Sequence, residues 1–509
     1  MRVATWCVLL GAALCGLAHC AGHSGHAGVD GSSAAGGTTT GGEGGDTGSA
    51  SRPLNVVIIL ADDMGYGDVA AFGGATSRIA TPSLDRLAAA GMRFTDAHAP
   101  VAWCTPSRYG LLTGRYPFRA TNDSNSTSLI EADRLTLPGM LRQHGYATAM
   151  IGKWHLGFDG GDALDYQKPL LGGPADRGFD SFFGIPASLD IPPYFFIRDR
   201  QAEAPPTEPI AASSTPGWSS VQGAFWREGM QAPGFRHVDV LPRIQTEALA
   251  FLEHQATHPE QPFFLYLALT SPHTPWVPTS EFAGRSAVDL YGDFVMQTDA
   301  TIGTVVNKLD ELGLGGNTLV VFTSDNGPMW YPNDIVRFGH AAAGALRGMK
   351  GDAWEAGHRM PFAVRWPGHI AAGGSSKATL CFTDVMATLA ELLQIELPST
   401  AAEDSFSFLP SLLGQSAKGP VREATVYQSI DGVFAIRRGP WKLITALGSG
   451  GFSEPETETP QPGGPSGQLY NLDTDLTEQK NLFLDHPDEV AALGSLLDQY
   501  RNQGRTRPQ

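Results

Sequence analysis

The sequence predicts an α/β fold built on a large, mostly parallel sheet covered by helices, followed by a smaller α+β unit. Three observations predict it. Short apolar runs rich in branched and aromatic residues alternate with segments of helical spacing. Four of those runs end in carboxylate, amide, ammonium or imidazole side chains, as strands do when their carboxyl ends meet at one place. After about Pro398 the alternation gives way to short strand-like segments separated by turn residues.

The chain has 509 residues, enough for two domains and a large buried core. A net charge of −17 excludes general nucleic-acid binding, which needs a basic surface. It leaves room for a small anionic substrate, because a local cationic pocket can sit within an acidic surface. The amino end carries Arg2, an apolar run over 8–17 and then small residues, so residues 1–20 read as a secretory signal too short to span a bilayer. Leu17-Ala18-His19-Cys20 is similar to a bacterial lipoprotein cleavage box in which Cys20 would take the lipid, although His19 departs from the usual small residue. Residues 21–52 are rich in Gly, Ser, Thr and Ala and read as a flexible tether of roughly 30 Å. Export to the periplasm or cell surface is therefore expected, with Cys20 as the candidate membrane tether. The folded part divides into a main domain over 53–397 and a small one over 398–509.

The elements follow in order. NVVIILADD (55–63) is a buried-strand pattern ending in Asp62 and Asp63. TPSLDRLAAAG (81–91) predicts a helix capped by Thr81, with Pro82 at its first position and Gly91 as its stop. In CTPSRYGLLTG (104–114), Pro106 suits the first turn of a helix, which puts Cys104 at the amino end, where unpaired N–H groups favour an anion. Residues 135–146 and 291–312 have helical spacing. ATAMIGKWH (147–155) ends in Lys153 and His155, PFFLYLALTSPH (262–273) in His273, and NTLVVFTSDNG (317–327) in Asp325 and Asn326. In the small domain ATVYQSI, GVFAIRRGPWKLI and QLYNLD read as antiparallel strands, the Pro/Gly/Glu-rich stretch 448–467 as a loop, and 487–500 as a closing helix.

Five cysteines are present, and Cys7, Cys15 and Cys20 fall in the leader. Cys104 and Cys381 remain, too few for a disulfide framework. Cys381 reads as a core residue, and a Cys104–Cys381 bridge is the plain alternative.

Asp62, Asp63, Asp325 and Asn326 offer hard oxygen donors suited to Ca²⁺ or Mg²⁺, and no Cys/His pairs at ligand spacing suggest structural zinc. Arg108, Lys153 and Lys350 add fixed cations, and His155 and His273 add imidazoles. A divalent ion with several cations suits a tetrahedral anion, hence a sulfate or phosphate ester.

CTPSRYGLLTGRYP (104–117) resembles the signature of the formylglycine-dependent sulfatases, and AMIGKWHLG (149–157) is similar to their second signature. LADDMGYGD, SPHTPW, FTSDNG and LRGMKGDAWEAGHRMPF match the same family in its order, over about 55–393. The resemblance implies an alkaline-phosphatase-like α/β sandwich with a small carboxy-terminal domain. It implies that a formylglycine-generating maturation enzyme reads Thr105, Pro106, Ser107 and Arg108 and converts Cys104 to formylglycine (3-oxoalanine). The hydrated aldehyde has two hydroxyls: one takes the sulfuryl group, and deprotonation of the other expels sulfate by C–O cleavage. By the same resemblance Asp62, Asp63, Asp325 and Asn326 hold Ca²⁺ rather than Mg²⁺, with an oxygen on residue 104 completing the shell. Arg108 places a fixed charge beside it, and Lys153 and Lys350 contact sulfate oxygens. His273 is assigned as proton donor to the leaving alcohol and His155 as the base, roles that exchange without contradicting the sequence.

The implied substrates are sulfated carbohydrates or aryl sulfates. Two rivals stand beside this reading: a phosphonate monoester or phosphodiester hydrolase of the same superfamily, and a non-catalytic sulfated-glycan-binding protein in which Cys104 stays unmodified. His98, His237 and His340 lie outside the motifs and read as structural, with His237 and His340 kept as candidate substrate contacts. The stretch 188–200 reads equally as pocket lining or as a rigid surface loop, and Asn122 and Asn125 match glycosylation acceptors relevant only in a eukaryotic host.

Overall fold

Strands Asn55–Asp62 and Phe263–Pro272 are buried along their whole length, as is Thr318–Ser324, which is what parallel strands covered on both faces require. The computed structural model describes residues 53–122, 127–415 and 419–508. The predicted signal, Cys20, the tether and Asn125 lie outside the described residues. Among the described residues no helix is long and apolar enough to cross a membrane.

Eleven strands form the large sheet among the described residues. Its centre is parallel: Thr318–Ser324, Asn55–Asp62, Phe263–Pro272, Ala147–Lys153 and Ser181–Ile185 lie side by side in that order. Beyond Thr318–Ser324 the direction changes, because Arg359–Arg365 runs antiparallel both to it and to Met92–His98. Sequence periodicity did not single out either of these two strands. Helices Pro82–Ala89, Val240–Ala256 and Asp289–Glu311 pack together and against the sheet, while Cys104–Thr113 packs with Leu137–Gln143 and Asp384–Leu392.

The helix expected over 81–91 spans Pro82–Ala89, yet Thr81 does not cap it. The Thr81 hydroxyl accepts from Ala70 N at 3.1 Å, and the first-turn amides of Ser83 and Leu84 donate instead to Asp299, at 2.8 Å for Leu84. Gly91 is also not the stop expected of a left-handed residue. A Cβ there would meet Val364 O at 2.0 Å, so its glycine serves close approach to a neighbouring strand.

After Pro398, strands Thr425–Gln428, Phe434–Arg438, Trp441–Ile444 and Gln468–Asn471 pair in sequence as a separate antiparallel sheet, and Pro487–Asn502 is the final helix. Buried charges tie this sheet to the large one. Lys442 Nζ lies 3.0 Å from Glu355 and 2.8 Å from Glu478, and Arg437 lies 2.6 Å from Asp96. Burial and the neighbouring Glu355 raise Glu478 to about 7 against the pull of Lys442. One ammonium thus serves two buried carboxyl groups. Lys442→Ala leaves Glu478 without its cation and Glu355 with Arg359 alone, and denaturant unfolding should record a loss of about 3–5 kcal/mol; a loss within experimental error would show Lys442 to be dispensable.

Candidate active site

The site forms because neighbouring parallel strands stop at the same level. Ala61 pairs with Ser324 and Asp62 with Pro272, so Asp62, Asp63, Asp325 and His273 emerge together from one end of the sheet. Lys153 ends the next strand, where Gly152 is in the left-handed half of φ space and a Cβ would meet Ala268 O at 1.8 Å. Asp63 and His155 both have positive φ, 64° and 57°, backbone strain that the surrounding hydrogen bonds hold in place. Asp63 N donates to Asp325 Oδ1 at 3.1 Å, Asn326 Nδ2 donates to Asp63 Oδ1 at 2.7 Å, and His155 N donates to Pro186 O at 3.0 Å.

Cys104 opens helix Cys104–Thr113, is 1% exposed and has a free thiol; Cys381 is also free, so the two form no bridge. No side chain caps that helix, which leaves its amino-terminal amides available to an anion beside residue 104. One donor atom from each of Cys104, Asp62 and Asp325 lies within 4.8 Å of the other two.

Each carboxylate has its own cation. Lys153 Nζ lies 2.7 Å from Asp62, Lys350 Nζ 2.7 Å from Asp63, and Arg108 Nη2 2.7 Å from Asp325 and 3.4 Å from Asp62. Arg108 also donates to the Lys153 carbonyl at 3.1 Å, so its fork fixes two strand ends at once. Lys350 is thus a buried member of this cluster, not a surface residue. His273 Nε2 is 3.7 Å from Asp63 Oδ2, and its Nδ1 lies 2.6 Å from Thr274 O. His155 is enclosed beside Lys153, and its Nδ1 is buried without a hydrogen-bond partner.

The electrostatics follow from this crowding. Burial works to raise the Asp62 carboxyl, but Lys153, His273, Arg108 and Lys350 outweigh it and hold Asp62 well below the ordinary range. Asp325, by contrast, is pushed up to about 6 by burial and by Asp62. Burial, followed by Lys153 and Arg108, drives His155 well below 6.5, so its imidazole is neutral at neutral pH. Burial raises the Cys104 thiol despite Lys153 and Lys350.

The residues fit a hard divalent cation. Three carboxylates meet in a site closed to water, and Asn326 Oδ1 is buried with no hydrogen-bond partner. An amide oxygen left so is an acceptor held ready for a ligand outside the described atoms.

Two participants escaped the sequence reading. Asp190 Oδ1 is buried, unbonded and 3.9 Å from His273 Nδ1, and Arg227 grips its other oxygen. Asp190 lies within the stretch 188–200, whose mixture of prolines, aromatics and charges was the only signal. Trp103 lies under the Lys350 ammonium, 4.6 Å from Nζ to ring centroid. Its place directly before Cys104 was visible, but its partner is 247 residues away. Three histidines outside the motifs, His98, His237 and His340, are each enclosed by other side chains. His340 is fully buried, accepts from Arg78 N at Nδ1 and meets Asp68 at 2.7 Å through Nε2, which closes it to substrate. His98 is buried between Asp96 and His358, and His237 is stacked 4.4 Å from Trp226 within an aromatic group.

Arg108→Ala strips Asp325 and Asp62 of a shared buried cation and should cost about 3–5 kcal/mol in denaturant unfolding of the metal-free protein. Arg108→Lys should not restore it, since a single ammonium cannot reproduce the fork. Full recovery by lysine would contradict this account.

Residues 54–395 match the family model described as Sulfatase. An N-acetylgalactosamine-6-O-sulfatase of Bacteroides thetaiotaomicron is 34% identical over 494 residues, covering 90% of this chain and 95% of that protein. Arylsulfatase A of Bos taurus is 35% identical over 467 residues, covering 87% and 86%. Among solved structures, a Bacteroides thetaiotaomicron protein reported under the metabolism of multiple glycosaminoglycans superposes with a TM-score of 0.78 at 34% identity, covering 89% of this chain and all of that one. A Pseudoalteromonas sulfatase at 23% identity shares the fold, with a TM-score of 0.69 over 90% of this chain and 92% of that one. With the fold, the clustered signature residues and these relatives in agreement, this chain belongs to the sulfatase family, hydrolases of sulfuric esters.

Proposed function

We propose that this sulfatase releases sulfate from sulfated carbohydrates, using formylglycine made from Cys104 and a Ca²⁺ ion held by Asp62, Asp63, Asp325 and Asn326. The observation that carries the reading is the meeting, at one helix amino terminus, of Cys104 with three carboxylates, three fixed cations and two imidazoles. The relative that acts on an N-acetylgalactosamine sulfate supports a sugar substrate over a simple aryl sulfate. The leader and tether read in residues 1–52 support export, with Cys20 as lipid anchor.

Formylglycine, once hydrated, supplies the attacking hydroxyl, and the cation supplies Lewis-acid stabilisation of that oxygen and of the sulfate. The chain's own residues do the rest. Lys153 and Lys350, whose ammonium groups lie at Asp62 and Asp63, are the fixed cations that would hold the sulfate oxygens. Arg108 keeps Asp325 ionised and in place, which matters for a carboxyl that burial otherwise raises. His273 Nε2, 3.7 Å from Asp63, gives its proton to the departing alcohol oxygen, and Nδ1 faces Asp190 on the other side of the ring. His155, neutral and without a partner at Nδ1, takes the proton that must leave residue 104 for sulfate to be expelled. A residue 1% exposed also explains why a maturation enzyme must reach position 104 before the chain closes over it.

The decisive experiment combines mass spectrometry with turnover. The peptide containing residue 104 from active protein should have lost its sulfur and gained an aldehyde oxygen. Cys104→Ala should lower sulfate release by at least about a thousandfold with unchanged circular dichroism. Chelation should abolish activity, and Ca²⁺ should restore it. An intact thiol in active protein would overturn the proposal, and faster turnover of phosphodiesters than of sulfate esters would replace it with phosphoryl chemistry.

The pH profile has a defined sign. A base whose pKa is depressed in the folded protein works above that pKa and fails as pH falls through it. The acid limb of kcat should therefore lie well below pH 6.5. A limb at or above 6.5 would remove His155 from the role of base.

A further inference from the structure

We propose that Trp103 determines specificity: its indole is the platform for the sugar ring that bears the scissile sulfate, and the adjoining cavity accepts that ring only when it carries no second charge. The inference rests on the sulfatase reading above and narrows its substrate class. A cavity of about 650 Å³ borders the first turn of the Cys104 helix, lined by Trp103, Thr105 and Pro106 and also by His155. The proposed base and the turn holding residue 104 thus line the same space as the indole. A sugar ring whose sulfate sits at residue 104 can extend into this space.

The lining is distinctive in its charge. Among the described residues around this cavity none is Lys, Arg, Asp or Glu, and the sole ionisable side chain is His155, which burial keeps neutral. Phe158, Leu164 and Ile191 provide apolar surface, and Asn122 and Thr105 provide neutral hydrogen-bonding groups. Arg108, Lys153 and Lys350 are each paired with a carboxylate of the cluster at residue 104. A second sulfate or a uronate carboxylate entering here would lose water with no counter-charge to meet it, whereas an uncharged amino sugar or hexose loses nothing comparable.

The indole is fixed in advance. Lys350 covers one face at 4.6 Å, and Phe452 from the 448–467 loop meets it with centroids 5.9 Å apart. An aromatic ring with one face on an ammonium and an edge braced by a phenyl ring loses little freedom on binding. The polarised C–H bonds of a pyranose ring suit the face that remains. Trp103 is only half-buried, whereas Arg108, Tyr109, Leu111 and Leu112 of the helix that follows are buried, which is consistent with a surface kept for a ligand.

The test compares the mature, Ca²⁺-loaded wild type with Trp103→Ala and Trp103→Phe on three substrates: 6-sulfated N-acetylgalactosamine, a disulfated hexosamine, and a short alkyl sulfate without a ring. Wild type should prefer the monosulfated sugar to the disulfated one by at least about tenfold in kcat/KM. Trp103→Ala should lose about tenfold or more on the monosulfated sugar, chiefly through KM, with a clearly smaller loss on the alkyl sulfate. Trp103→Phe should recover most of the difference. Equal losses on sugar and alkyl sulfate would mean that Trp103 merely steadies Lys350, and would overturn the proposal. So would equal turnover of mono- and disulfated sugars. Absence of sulfate release from every ester by wild type would instead remove the underlying sulfatase reading, and with it this inference.

Discussion

Three carboxylates closed off from water at the end of a parallel sheet would force one another apart, and the whole site depends on how that repulsion is met. Asp62, Asp63 and Asp325 are each matched with a buried cation whose own burial is tolerable only because of the carboxylate beside it. The matching is mutual, so removing one member exposes the rest. It is also incomplete: Asp325 is still pushed up to about 6, and Asn326 still holds an unbonded oxygen. The unbalanced remainder is what suits the cluster to a divalent cation, beyond the needs of a structural salt bridge.

The scaffold holds this arrangement by geometry more than by local preference. Parallel strands in fixed register bring Ser324 beside Ala61 and Pro272 beside Asp62, and the two loops that follow then bond to one another. Asp63 and His155 adopt left-handed backbone conformations that an isolated chain would avoid. Both lie one or two residues beyond a strand whose carboxyl end is buried, so the sheet supplies the energy that fixes them. Function is placed where the rigid element ends, with side chains that need no loop movement to meet.

Charge is distributed in the same way across the molecule. The chain as a whole is acidic, at −17, yet among the described residues two clusters of buried cations stand out. One is the site. The other joins the two sheets, where Lys442, Arg359 and Arg437 face Glu355, Glu478 and Asp96. There every charged group has a partner, no donor is held in reserve, and the cluster serves to fix the small sheet against the large one. The contrast between a completed network and one with an unbonded amide oxygen separates structure from chemistry in a fold rich in buried charge.

Much of the site was legible in the amino-acid sequence because strand periodicity and strand-terminal chemistry are local. The runs that end in Asp62, Lys153, His273 and Asp325 announce both their conformation and what they deliver. The helix starting at Cys104 and the antiparallel segments after Pro398 were readable for the same reason. Other features depend on contacts that no local pattern encodes. Asp299, more than two hundred residues away, caps the helix that Thr81 seemed to cap, and Gly91 answers to a neighbouring strand instead of a helix end. Strands Met92–His98 and Arg359–Arg365 are defined by each other. Residue order therefore determined which side chains would stand at the strand ends. Only tertiary structure decided which carboxylate would meet which cation, and that Trp103 would lie beneath Lys350, because those pairings follow from strand register and loop closure over distances that sequence spacing does not measure.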